Sequence, residues 1–168
     1  MLRQKGSEQI FLRGKYIRMV SEKYMEKALA LAESAAKSGE VPVGAVVVRE
    51  GEIIGCGSNH TVSEKDPTAH AEMEAVHEAL KAVGGWRLTG CDIYVTLEPC
   101  AMCAGALVNA RIKNIYIGTP DPKSGACGSV LDVTGEKMLN HHPAVHIGIL
   151  QERCAQILRD FFRELRRK

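Results

Sequence analysis

The stretch Val95–Val108, "VTLEPCAMCAGALV", runs an apolar, β-branched segment into a proline and then into two cysteines at i and i+3. With the residues before it, "CDIYVTL" (91–97) reads as a buried strand, and Cys100 to Ala110 reads as a short helix. A strand therefore hands over to a helix at Pro99, and Cys100 and Cys103 fall on one face of the helix's opening turn. The partial positive charge of a helix N-terminus favours thiolate over thiol. Such a pair suits a metal or thiol–disulfide exchange, and alone it does not choose between them.

The choice comes from "DPTAHAEMEAVHEALKAV" (66–83), where His70 and Glu72 open a second predicted helix that ends at Gly84-Gly85. Met73, Val76 and Leu80 line its inward face, and Glu74, Glu78 and Lys81 its outward face. Glu72 sits one turn before Val76, beside the apolar face, where a carboxylate is costly unless something pairs with it. A metal-activated water is such a partner. Residues two apart on a helix diverge by about 200°, so His70 must project from the helix start to share a pocket with Glu72. His70, Cys100 and Cys103 then supply three ligands and leave one tetrahedral position open, the pattern of catalytic rather than structural zinc. Two thiolates already neutralise Zn²⁺, so a nearby base is needed to activate water, and Glu72 suits that role.

Two competing readings are a closed four-ligand zinc clip recruiting Cys91, Cys127 or His77, and a redox disulfide pair. Neither accounts for the inward carboxylate. Cys56, Cys91, Cys127 and Cys154 read as small buried hydrophobes, His77 as a core or flank residue, and His141, His142 and His146 as surface residues.

A length of 168 residues suits one well-cored domain. A 45% hydrophobic and 25% charged composition is that of a soluble globular protein, and no apolar run reaches the roughly 20 residues of a membrane span. No secretory leader is expected, so the six cysteines read as reduced thiols in the cytoplasm. Basic residues gather at both ends, in Met1–Arg18 and in "RDFFRELRRK". Residues 1–20 read as a flexible extension and 21–168 as a single domain. Within it, Ser21 reads as a helix N-cap and Gly39 as that helix's stop; "VGAVVVRE" and "EIIGCG" form a hairpin. "NIYIG", a glycine-rich loop, a short strand near 145–147 and an amphipathic helix from about Leu150 complete an α/β chain with a mixed sheet and helices on both faces.

H-x-E followed by P-C-x-x-C is the signature of the zinc nucleobase deaminases. The chain resembles the bacterial tRNA-specific adenosine deaminases from about Met25 to Arg167. "GEVPVGAVVV", "DPTAHAEMEA", "YVTLEPCAMCAGALV", "ARI", "DPKSGACGSVLDV" and "DFFRELRR" carry the resemblance. It implies a three-layer α/β/α cytidine-deaminase-like fold with a roughly five-stranded mixed sheet. It implies hydrolytic conversion of adenosine to inosine at the wobble position of a tRNA anticodon, by zinc-activated water with Glu72 as proton shuttle and one zinc per chain. Asn59 would hydrogen-bond the flipped base, Asp121 would touch the ribose, and the C-terminal helix with Phe162, Arg163, Arg166 and Arg167 would border the RNA groove of a homodimer. Of Phe161 and Phe162, at least one is expected to be buried. His142 departs from the family's usual Asn-His-Arg, and the extension before Met19 has no counterpart in the family pattern.

A deaminase of a free base or nucleoside, guanine above all, is the near rival on the same core. The basic terminus and the "DPKSGACGS" loop speak for a phosphate-bearing substrate instead. A zinc-stabilised RNA-binding module would keep the three ligands but has no use for Glu72.

Overall fold

The computed structural model describes residues 3–167 in backbone and residues 19–167 in side chain. The chain runs α1 (Arg3–Lys37), β1 (Gly44–Arg49), β2 (Glu52–Ser58), α2 (Ala71–Val83), β3 (Asp92–Leu97), α3 (Ala101–Asn109), β4 (Asn114–Thr119), β5 (Ala144–Ile147) and α4 (Gln151–Leu165). The strands form one five-stranded sheet in the order β2-β1-β3-β4-β5. β1 is antiparallel to both β2 and β3, and β3, β4 and β5 run parallel. The mixed sheet is therefore as the sequence predicts.

Period-two alternation splits the core into two layers. Ala45, Val47, Ile93, Val95, Ile115 and Ile117 face α2 and α3, where Ala71, Ala75, Val76, Ala79, Ala104 and Leu107 meet them. Val46, Val48 and Tyr94 face the other way, onto Tyr24, Met25, Ala28 and Leu29 of α1 and Cys154 of α4. Fully burying each Val, Leu or Ile contributes about 1.5–3 kcal/mol, so both helix layers are held by the sheet rather than by their own propensities.

α2 lies unusually close to β2. A Cβ on Gly55 would come within 2.2 Å of the Ala75 carbonyl, and one on Gly57 within 2.1 Å of the Ala71 carbonyl. Only glycine permits that approach, and it brings the start of α2 against the sheet near the C-terminal ends of β3 and β4.

Two sequence expectations change, and a third falls largely outside the described residues. α1 does not begin at Ser21: that residue lies inside the helix, 3% exposed, with its hydroxyl paired to Tyr94. The expected flexibility of residues 1–20 falls largely on side chains outside the described residues; where the backbone is described, it continues α1. Neither Phe161 nor Phe162 is buried, because α4 buries only Cys154 near its start while the rest stays half or fully exposed. The two rings instead meet edge to face at 5.4 Å.

Candidate active site

Both halves of the predicted ligand set sit at helix starts. His70 is the N-cap of α2, with extended backbone (φ −87°, ψ 151°), and Glu72 lies in the first turn. Because His70 stands outside the helix, the angular divergence between the two residues does not separate them. Cys100 is likewise the extended N-cap of α3 (φ −72°, ψ 175°), and Cys103 is one turn on. Neither cap residue uses its side chain to cap its own helix. They turn toward each other.

His70 Nδ1 lies 3.7 Å from Cys100 Sγ and 3.5 Å from Cys103 Sγ, and all three donor atoms lie within 4.8 Å of one another. With Zn–S near 2.3 Å and Zn–N near 2.0–2.1 Å, the corners of a tetrahedral zinc lie about 3.5–3.8 Å apart. Both His70–cysteine distances match that spacing and the two sulfurs lie within 4.8 Å of each other, so the donor set fits zinc and forms a candidate metal centre.

The electrostatics favour such a use. Hydrogen bonds from Cys103 and His70 hold the Cys100 thiol far below its ordinary value, to about 3. The pairing with Cys100, with burial, pushes the Cys103 thiol up, and the hydrogen bond to Cys100 raises His70. Glu72 is 4% exposed, and burial pushes its carboxyl up to about 7. Cys103 and His70 both lie within its electrostatic reach.

A cleft of about 960 Å³ opens from this centre and carries His70, Glu72 and Cys100 on its lining. Asn59, Asp121, Phe162, Arg163 and Arg166 line it too, so most of the predicted substrate contacts converge on one space. Arg167 is exposed and does not reach the lining. Asn59 is 6% exposed, and its Nδ2 donates to Thr61 Oγ1 at 3.2 Å and to Glu40 Oε2 at 3.5 Å. Phe162 keeps 40% of its surface exposed, available for stacking rather than spent in the core.

Four further residues that line the cleft stand within the quoted stretches of sequence, which do not single them out as site residues. Arg159, Lys123, Ser124 and Glu98 also line the space. Glu98 had a visible clue, a carboxylate directly before Pro99 at a predicted strand end, and it is 2% exposed. Of the remaining cysteines, Cys91, Cys127 and Cys154 are buried as predicted. Cys56 is exposed instead, because β2 is an edge strand with only Gly55 and Gly57 fully buried. His77 points to solvent, and His142 Nε2 donates to the Glu136 carbonyl at 3.0 Å.

Sheet order, the paired helix starts and the donor set together define the cytidine-deaminase-like class of α/β/α proteins. Comparison with known proteins narrows this. Residues 19–166 match the MafB19-like deaminase family model. The tRNA-specific adenosine deaminase of Bacillus subtilis (strain 168) is 48% identical over 147 residues, covering 88% of this chain and 91% of that protein. A structure from work on A-to-I editing by tRNA:A34 deaminases superposes with a TM-score of 0.79 at 44% identity, covering 81% of this chain and 99% of that one. A guanine deaminase from Nitrosomonas europaea reaches a TM-score of 0.70 at 23% identity over 83% of each chain, a likeness of fold alone. The chain belongs to the tRNA-specific adenosine deaminase family.

Proposed function

We propose that the protein converts adenosine to inosine by hydrolysis at the wobble position of a tRNA anticodon, with one zinc ion held by His70, Cys100 and Cys103. When bound, that ion supplies the Lewis acidity that activates water near neutral pH. Glu72 is the residue placed to carry protons: it is buried at the cleft floor beside the ligands and takes the proton on the attack side, then delivers it toward the purine N1 and the leaving ammonia. Asn59 presents its amide to the extruded base, Asp121 faces the ribose, and Phe162 offers a stacking surface.

The observation that carries the reading is the continuity of the cleft. The space that holds His70, Glu72 and Cys100 extends without a break to Arg159, Arg163 and Arg166 on α4. A free base has no phosphate for three arginines, whereas an anticodon loop does. Residues 21–168 act as one catalytic domain. Exposed Met102, Val130, Leu131 and Met138, on α3 and the loop tied to its start, offer the apolar surface of a homodimer. Among the described residues no helix is long and apolar enough to cross a membrane, and all six cysteines are free, which accords with work in the cytoplasm.

The test offers the purified protein an anticodon stem-loop with adenosine at the wobble position, then guanine, then cytidine. Inosine formed in the RNA alone is the expected result. Turnover of guanine or cytidine in place of the RNA would overturn the assignment.

A further inference from the structure

Glu98 is a buried carboxylate that takes no part in the chemistry above. It follows β3, and its backbone N–H donates to the Thr119 carbonyl at 2.9 Å, extending the β3–β4 pairing by one residue. Its side chain collects four donors from one loop. Oε2 accepts from the Asp121 N–H at 2.9 Å and from the Ser129 hydroxyl; Oε1 accepts from the Cys127 N–H at 3.0 Å and the Ser129 N–H at 3.1 Å. The loop backbone also packs directly on the carboxylate, since a Cβ on Gly125 would fall 2.5 Å from its Cδ.

The same loop is fastened to the α3 start. The Ala126 N–H donates to the Pro99 carbonyl at 2.8 Å, and Gly125 forms a bridge with Cys100. At its other end the loop presents Asp121, Lys123 and Ser124 to the cleft. Ser124 Oγ donates to Asp121 Oδ2 at 2.6 Å, and the Lys123 N–H to Asp121 Oδ1 at 2.9 Å, so these three move together. One buried carboxylate thus sits between the metal-ligand helix and a substrate-facing wall.

We propose that Glu98 is a positioning residue: its carboxylate fixes the Asp121–Ser129 wall against the start of α3, setting substrate binding rather than the proton-transfer step. This rests on the functional reading above. A buried carboxylate solvated by backbone N–H groups has no substitute in an amide, which turns donor hydrogens toward those same N–H groups. Glu98→Gln keeps shape and volume and removes the matching acceptor.

The experiment compares wild type and Glu98→Gln in zinc content, in hydrogen exchange of the Asp121, Cys127 and Ser129 amides, and in kinetics on the anticodon stem-loop. The expected result is full zinc, exchange faster by about tenfold or more at those amides, and KM raised about tenfold with kcat within about threefold. Unchanged exchange overturns the proposal. So does loss of zinc, or a fall in kcat with KM intact, since either puts Glu98 in service of the ligands or the chemistry. If Glu98→Gln fails to fold, Ser129→Ala removes a single donor hydroxyl and should speed exchange at Asp121 and Cys127 to a lesser extent; wild-type exchange there overturns the proposal equally. An inactive wild type would refute the proposed substrate while leaving the exchange result to judge Glu98.

Discussion

Replacing Arg159, Arg163 and Arg166 together with alanine tests whether the α4 face grips RNA. All three line the cleft, and Arg167 does not. Each single-strand phosphate neutralised contributes a log–log salt slope of about −0.7, so three contacts account for about −2 of the total. Between 50 and 200 mM salt, that portion is worth roughly a twentyfold loss of affinity. The structure also ranks the three. Arg159 pairs with Glu152 and Arg163 with Asp160, so a phosphate must compete with a carboxylate for each of them. The flattening should therefore lie between one and three contacts' worth, about 0.7 to 2, with Arg166 carrying the largest single share. Fluorescence anisotropy of an anticodon stem-loop against salt reads this directly, and unrelated RNA of equal length should lose almost as much, since phosphate contacts do not read bases. Arg167→Ala should leave the slope within error. A triple variant with the wild-type slope would mean that α4 is only a solvated face, and the substrate would then have to be sought among free bases and nucleosides.

Cys103→Ala removes one of three donors at a fully buried position and should lose its zinc, measured by metal analysis of the purified chain; full occupancy would refute the ligand set. Glu72→Gln should keep zinc and fold while kcat falls by roughly 10² to 10⁴-fold, and near-normal inosine formation would place the proton carrier elsewhere. Glu40 gives a pH-dependent prediction. Burial alone would raise its carboxyl, but the Ser63 and Val62 N–H groups, at 2.7 and 3.1 Å, outweigh that and hold it below its ordinary value. Its contribution to stability is therefore fully present above the unfolded value near 4.5 and lost as pH falls through the lower folded value. Chemical denaturation should find Glu40→Gln less stable than wild type by about 1.5–3 kcal/mol at pH 7, and the gap should close below pH 4.5. A constant gap would show that the carboxylate charge is immaterial there.

What the sequence made legible is local. The helix starts at His70 and Cys100 could be read because capping position, ligand spacing and the flanking prolines all lie within a few residues of each other. Strand positions followed from β-branched runs, and the mixed character of the sheet followed from a hairpin before alternating helices; the strand order β2-β1-β3-β4-β5 came only with the structure. What escaped depends on partners distant in sequence or on where an element ends in space. The phenylalanine pair looked like core because an amphipathic period does not reveal that α4 packs on the sheet only through its first half, at Cys154 and Ile157. Cys56 looked buried because the pattern of β2 does not announce an edge strand. Glu98 draws its four hydrogen bonds from residues 121–129, and no motif spans that separation.

A supply of donors distant in sequence also separates Glu72 from two other buried carboxylates. Glu40, Glu72 and Glu98 are each at most 4% exposed. Burial opposes ionisation in all three, so what differs is the supply of donors. Glu98 takes four from its loop, and Glu40 takes the Val62 and Ser63 N–H groups with Asn59 and Thr61 beside them; both are held below the ordinary carboxylate value. Glu72 has only its own backbone N–H and the Cys103 side chain as donors, and burial outweighs them and pushes it up to about 7. A carboxylate saturated with N–H donors cannot exchange a proton without breaking its own support, whereas one raised toward neutrality at the cleft floor can both accept and release one. Glu40 is thus tied to the segment from Asn59 to Ser63 and Glu98 to the loop from Asp121 to Ser129, whereas Glu72 is the one of the three whose carboxyl is raised, which suits the proton-carrying role proposed for it.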